Sequence, residues 1–528
     1  MTDVQIVRGE LQPWTDSNPT GGATLLALLD DLLPERVNRT LVAGPHSAEV
    51  IELAAARSAA VSVLVRSVSD AQELRAQVPA EHVTIITGAL DGLVLAKPEK
   101  FDMVIAADGL DRVLGADSPA LNWPQRAAAL WEVATDDALA VVAVENEFAL
   151  TGLYDRRPAD ERHGDDEWRP LHDDPDRPTS PAQVLAAIEG TTRLYAAYTA
   201  AGAIHTLLDA DAAAGTRPGR PGARLATTGL AATAAHTPLL APVDGGADAA
   251  ARAGLLAAVA PGWLAIRGTS GGATHTAYAP AGDGVLLADL DGAEWTVSTG
   301  GGGKRLPDTE SAEALLFRLA AAEDVPGFRA FAARLGAWAN AEGVILLDDL
   351  YPEGDGFVRG VTELKTTADE KELLAAAWFR LKDRLLGAHR RHPWPPWITG
   401  TDDLVATWLS MSGVDAGPEI LKRGREIADL VAEPATDQPD LRTVIADAET
   451  ARVQAVELAG KVFGLERTLR FRDQSLRTRE KQIRTVRDDL RSLRRSPAMR
   501  LHEVTAKVAK IRNPRKFAGA LKRRLRKG

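Results

Sequence analysis

The chain has 528 residues, 45% hydrophobic and 26% charged, with no cysteine, which suits three or four domains of about 150 residues each and excludes wholesale disorder. Without cysteine there is no disulfide, thiolate zinc site, cysteine nucleophile or iron–sulfur cluster. The net charge of −11 joins two opposite parts: residues 451–528 carry 24 Lys+Arg and 7 Asp+Glu, a net of +17, which leaves −28 on residues 1–450.

Short apolar runs alternate with helix-like stretches from Arg39 onward. Thr40–Ala43 reads as a strand, Gly44-Pro45-His46-Ser47 as a turn, and Ala48–Ala56 as a helix with Ser47 placed to cap it. Val61–Val65, Val83–Ile86, Phe101–Ala106 and Ala138–Val144 continue the series, with helices expected over Ser69–Gln77 and Trp123–Ala134. Each strand is nearly continuously apolar, as a sheet covered on both faces requires. The expected fold class is therefore α/β, a doubly wound and mostly parallel sheet. Residues 155–182 form a polar loop rich in His, Asp and Trp, and Pro181–Ile188 and Arg193–Tyr198 close this domain.

Residues 211–255, rich in Ala, Gly, Thr and Pro, read as a linker. Hairpin strands are expected at Trp263–Arg267, Thr274–Ala279, Gly284–Leu290 and Glu294–Ser298, then helices from Ser311 to Asp429 broken by strand-like Gly343–Leu347. Together these make a smaller α+β domain. Gly300–Lys304 lacks the Ser/Thr of a phosphate loop and reads as a turn, Asp348-Asp349 as a solvated strand end, and His392–Trp397 as a rigid aromatic corner.

A heptad seam follows. Leu458, Val462, Leu465, Leu469, Leu476, Ile483, Val486, Leu490 and Leu493 share one series spaced alternately by four and three, with Arg472 and Arg479 at two of its places. The series extends back through Ala455, Ala451 and Ala448 to Val444. Such a stripe is covered by another helix, so residues 444–493 predict a coiled coil joining copies of the chain or a partner. The helix is expected to stop at Ser496-Pro497. Residues 499–528 interleave Lys and Arg with Leu501, Val504, Val508, Ile511, Phe517 and Leu521, a pattern suited to an anionic membrane surface. Nucleic acid is the weaker partner, because Phe517 alone is available to stack on bases. The domain reading is thus 1–210 α/β, 211–255 linker, 256–432 α+β, 440–496 coiled coil and 497–528 basic tail. The polar N-terminus and the lack of 18 consecutive apolar residues lead us to expect a cytoplasmic chain, peripheral to the inner face of the membrane.

Lys100-Phe101-Asp102-Met103-Val104-Ile105-Ala106, followed by Ala140-Val141-Val142-Ala143-Val144-Glu145-Asn146-Glu147-Phe148, resembles the fourth and fifth strands of class I S-adenosylmethionine-dependent methyltransferases. The resemblance spans roughly residues 20–210. It implies S-adenosylmethionine as cofactor and a glycan or small-molecule acceptor. Gly44 matches the glycine turn beside the cofactor, with Ser47 next to it; Asp91 matches a position near the adenine, and Asp108 one near the sulfonium and acceptor. Arg66 stands where the family has a ribose-binding acid; Arg has only donors, so Asp70 is the substitute candidate. Asp108, His163 and Asp166 are the candidate catalytic residues, with Asp111 and His172 as further base or acceptor-binding candidates. No metal site is expected. In the second domain no His-Arg-Asp, His-Gly-Asp or Asp-Phe-Gly motif accompanies the hairpin-then-helix order, so any kinase-like fold there is degenerate. The whole layout is similar to methyltransferase/kinase proteins of bacterial surface-polysaccharide biosynthesis. Two functions follow: a methyltransferase, or a methyltransferase-like scaffold without catalysis that recruits partners through coil and tail.

Overall fold

The computed structural model describes residues 4–7, 15–16, 18–158, 161–162, 174–240, 243–268, 272–282, 284–299, 303–339, 343–362, 364, 366–387, 390–431 and 441–511. Two compact units are present, residues 1–438 and 439–528. In the first, thirteen strands join one sheet: β1 (Gln5–Ile6), β2 (Val37–Ala43), β3 (Ser58–Val65), β4 (Val83–Thr87), β5 (Phe101–Ala106), β6 (Ala134–Glu145), β7 (Thr191–Ala200), β8 (Ala203–Asp209), β9 (Gly262–Arg267), β10 (Ala277–Ala281), β11 (Gly284–Asp291), β12 (Glu294–Ser298) and β13 (Gly303–Pro307).

The order is β1-β4-β3-β2-β5-β6-β9-β7-β8-β10-β11-β12-β13. Strands β1 to β6 are parallel where they pair, and β9 runs antiparallel between β6 and β7. From β2 the chain steps outward through β3 to β4, then returns to the other side of β2 for β5 and β6. That reversal puts a switch point at the ends of β2 and β5, where doubly wound sheets hold ligands. Alternate side chains serve opposite faces. Leu41, Ala43, Val104 and Ala106 join one buried cluster, and Val42, Met103, Ile105 and Val141 the other. Both faces are apolar, so the strands read as unbroken apolar runs. The expected α/β sheet is present.

Three expectations change. Residues 211–255 are not a linker: they form helices Ala210–Gly215, Pro221–Ala234 and Val243–Ala253. Their small residues permit close approach to the sheet; a Cβ on Gly229 would lie 2.7 Å from the Tyr198 Cβ. The boundary at 255 does not separate two sheets either. Trp263, Leu264, Ala265 and Ile266 are buried, and as β9 they fill the gap between β6 and β7, while β10 to β13 extend the same sheet. Gly343–Leu347 is no strand; Val344–Leu347 are buried, and a short 3-10 turn, Leu347–Asp349, leads into a separate hairpin, β14 (Leu350–Glu353) with β15 (Gly356–Arg359).

Helices between Ala312 and Leu430 enclose a third core around Phe328, Trp378, Trp394 and Trp408. The aromatic corner divides its duties: Trp394 packs there, and Trp397 is 77% exposed. Of the glycine turn, residues 300–302 lie outside the described residues; Gly303 and Lys304 begin β13, with Lys304 Nζ donating to the Gly360 carbonyl at 2.8 Å.

The second unit is a 55-residue helix, Leu441–Arg495, followed by a helix over Pro497–Ile511. Pro497 has no amide hydrogen to continue the first helix, but fits the opening position of the next. The seam residues from Leu458 to Leu493 are 48–64% exposed in the single chain. Among the described residues, no helix is long and apolar enough to cross a membrane.

Candidate functional site

At the switch point the backbone of Gly44 adopts φ +93°, which favours glycine, and its amide donates to the Leu64 carbonyl at 3.0 Å. Asp108, two residues past β5, faces it: a Cβ on Gly44 would stand 3.5 Å from the Asp108 Cβ. The carboxylate is 5% exposed and fully engaged. Arg112 Nε donates to Oδ2 at 2.9 Å, Arg112 Nη2 to Oδ1, and the Thr20 hydroxyl to Oδ1 at 2.7 Å. A two-pronged arginine on a carboxylate is among the stronger polar contacts in proteins.

His46 bridges the turns after β2 and β5. Its Nε2 accepts from the Ala107 amide at 3.1 Å, so that nitrogen carries no proton, and Nδ1–H donates to the Gly44 carbonyl at 3.1 Å. Burial lowers its pKa below the ordinary value, which agrees with a neutral ring. Residues 18–22 run alongside: Thr20 N donates to the Pro45 carbonyl at 2.9 Å, and Ser47 N to the Thr20 carbonyl at 3.0 Å. Ser47 makes no side-chain cap to the helix Ala48–Arg57; the Gly21 backbone sits against its hydroxyl.

Beyond β3, Arg66 and Asp16 are each 1% exposed and paired, Nη2 to Oδ1 at 2.5 Å and Nε to Oδ2 at 3.1 Å. Arg66 Nη1 also donates to the Leu114 carbonyl at 2.9 Å. Removing one member of such a pair strands a buried charge, at a cost of about 3–5 kcal/mol. Asp70 accepts from the Asp16 amide at 2.9 Å, and burial raises its pKa. Asp91 accepts from the Ser118 hydroxyl at 2.7 Å. The side chains of Leu90, Leu110, Val113 and Leu114 are buried in the core under these turns.

On the opposite side of Asp108 lies a cavity of about 880 Å³ at the ends of β5, β6, β7 and β9. Thr20, Asp108, Glu145, Glu147, Arg177 and Trp263 line it. Asn146, directly after β6, is structural: Nδ2 donates to the Ala258 and Ala260 carbonyls at 2.8 Å, and Oδ1 accepts from the Phe148 amide at 2.9 Å. Asp111 is paired with Arg126 and Arg177, and Arg126 also reaches Asp174 at 2.6 Å.

Gly44, Ser47 and Asp108 thus come together, whereas Asp70 and Asp91 stand over β3 and β4, engaged in internal contacts. His163, Asp166 and His172 lie outside the described residues. Sequence reasoning missed Thr20, Asp16, Arg112 and Arg177. Only Arg112 left a local signal, four residues beyond Asp108. Among the described residues no group of His and carboxylates suits a metal ion.

S-adenosylmethionine needs acceptors for its ribose hydroxyls beyond β3. There Arg66 offers donors only and is already neutralised by Asp16, while Asp108 is held by Arg112 and Thr20. Arg66 and Asp108 are thus taken up by internal partners, and the half-buried Asp70 is the acceptor left beyond β3 among the described residues.

No protein-family model and no curated protein matches the chain. Among solved structures it is similar to the N-methyltransferase NodS from Bradyrhizobium japonicum in complex with S-adenosyl-L-homocysteine: 14% identity over 24% of this chain and 59% of that one, TM-score 0.19. A putative methyltransferase from Pseudomonas syringae matches at 14% identity over 23% and 74%, TM-score 0.19. A SAM-dependent methyltransferase from Thiobacillus denitrificans, with S-adenosyl-L-homocysteine, matches at 16% over 25% and 51%, TM-score 0.20. The chain therefore spans 59% of the length of NodS.

Proposed function

We propose that this chain is a methyltransferase-like scaffold whose cofactor crevice is closed by its own side chains, and which works through its coil and basic tail. The buried Asp16–Arg66 pair carries this reading, because it puts a neutralised donor where a ribose-binding acceptor would be needed. The Arg112–Asp108 fork supports it from the other side of the crevice. The coil pairs two copies of the chain, and the tail places them on an anionic membrane surface at the inner face.

A second reading is a methyltransferase acting on a glycan or small-molecule acceptor in cell-surface polysaccharide biosynthesis. The cavity of about 880 Å³ beside Asp108 favours it, since its volume suits a small ligand and its mixed wall sets Asp108, Glu145 and Arg177 among apolar side chains. Asp108 would have to leave Arg112 and Thr20 before it could orient an acceptor hydroxyl or take its proton.

Calorimetric titration of the full chain with S-adenosylmethionine separates the two. The scaffold reading expects no saturable heat at millimolar ligand. Saturable binding below about 100 μM would reject it in favour of the enzyme, and would be accompanied by a thermal shift, because a ligand at 100 times its Kd adds about 2.7 kcal/mol of stability.

A further inference from the structure

A second cavity, about 940 Å³, lies among helices Pro221–Ala234, Val243–Ala253, Ala312–Ala321 and Glu370–Gly387. Among the described residues, eight arginines and six carboxylates line it, and no lysine does. The interior arginines are committed. Arg224 and Arg384 meet Asp348 at 2.6 and 3.0 Å, Arg220 meets Asp308 at 2.7 Å, and Arg390 meets Asp248 at 2.8 Å. Arg217 and Arg252 are different. Both are exposed at the cavity, and neither has an ion-pair partner among the described residues; Arg217 donates only to the adjacent Thr216 carbonyl at 3.0 Å.

Two helix N-termini reinforce that excess of positive charge. Residues 217–220 lead into the 14-residue helix Pro221–Ala234, and residues 308–311 into the 10-residue helix Ala312–Ala321. The Ser311 amide donates to the Gly219 carbonyl at 2.8 Å. Gly219, at φ +78°, permits this approach; a Cβ there would come within 2.5 Å of the Ala314 Cβ. The positive ends of both helix dipoles thus share one wall of the cavity.

We infer that this cavity binds a phosphate or diphosphate ester of a non-aromatic, hydroxyl-bearing compound, with Arg217 and Arg252 as its phosphate ligands. Guanidinium forks match phosphate oxygens in pairs. Arg217 and Arg252, without an ion-pair partner among the described residues, match the two charges of a dianion. Asp244 and Glu310 in the same lining supply acceptors for hydroxyls. Phe317 is the one aromatic residue among the described lining residues, and Arg390 lies over its ring at 4.5 Å, which takes the stacking face a nucleobase would use.

The test is calorimetric titration of the full chain with pyrophosphate, ribose 5-phosphate and AMP, against sodium chloride at equal ionic strength. Pyrophosphate and ribose 5-phosphate bind saturably to the wild type. The double variant Arg217→Ala/Arg252→Ala loses about tenfold or more in affinity, with an unchanged thermal midpoint in the absence of anion, because both side chains are exposed and neither holds an ion-pair partner among the described residues. Arg217→Lys/Arg252→Lys retains the charges without the forks and falls between the two. The proposal is overturned if the wild type shows no saturable heat beyond chloride, or if the alanine variant binds as the wild type does. Tighter binding of AMP than of ribose 5-phosphate overturns the non-aromatic assignment.

Discussion

Glu313 and Asp348 are buried neighbours that titrate in opposite directions. Burial raises the Glu313 carboxyl to about 7, against the pull of Arg384, whose Nε lies 3.1 Å away. Burial also penalises Asp348, but Arg224, Arg384 and Arg380 outweigh it and hold that carboxyl well below the usual range. The consequence for stability has a sign. A carboxyl whose folded pKa is raised favours folding fully below its ordinary value of 4.5, and that contribution is lost as pH rises through about 7. Glu313→Gln removes the dependence. Urea unfolding should show the variant gaining about 1–3 kcal/mol relative to wild type between pH 4.5 and pH 8; parallel stability curves would refute the account. None of this was legible in the sequence, where Asp348 read as a solvated strand end, because its partners Arg224 and Arg384 come from distant helices.

Among the elements, the parallel strands were legible because burial on both faces demands continuous apolar residues. The helices over 210–253 were not. Their Ala, Gly and Thr content looks like a linker until a sheet is placed against it, and then small residues are what close packing needs. The long helix Leu441–Arg495 came from its heptads, and its charges predict the orientation that the proposed pairing of two copies would take. In the seam's register Lys461 and Asp489 occupy g positions, and Glu466 and Arg494 the e positions five residues on. Parallel, in-register helices bring each g opposite that e of the second copy, which gives Lys461–Glu466 and Asp489–Arg494 attraction. Arg472 and Arg479, at d, then lie next to Asp473 and Glu480 of the second copy at e. The chain has no cysteine, so Leu458→Cys and Leu493→Cys can be read without background. Each alone should give a disulfide-linked dimer on a non-reducing gel; an antiparallel or unpaired coil links neither.

At the scale of the molecule, two compact units divide the charge: residues 1–438 carry a net −26 and residues 439–528, with the coil and tail, a net +15. Leu501, Val504 and Val508 on the last described helix are 55–68% exposed, apolar positions available to an interface. Each Lys or Arg near an anionic surface adds about 1 kcal/mol of attraction, and pairing the chain doubles the number of tails per particle. The full chain should therefore float with phosphatidylserine-containing vesicles, less so at high salt, and a chain lacking 499–528 should remain at the bottom of the gradient. Equal flotation of the truncated chain would end the membrane role.

The opposed charges, the absence of cysteine, the parallel strands and the heptad seam were determined by sequence alone, because each is a composition or a short-period pattern. Tertiary structure decided what Arg66, Asp108 and Arg112 do. Asp16 lies 50 residues from Arg66, and Thr20 lies 88 from Asp108, and only the crossing of the N-terminal segment over the strand ends brings them together. An arginine where an acid is expected is a puzzle in the sequence. Paired with Asp16 at 1% exposure, it is a buried and neutralised donor.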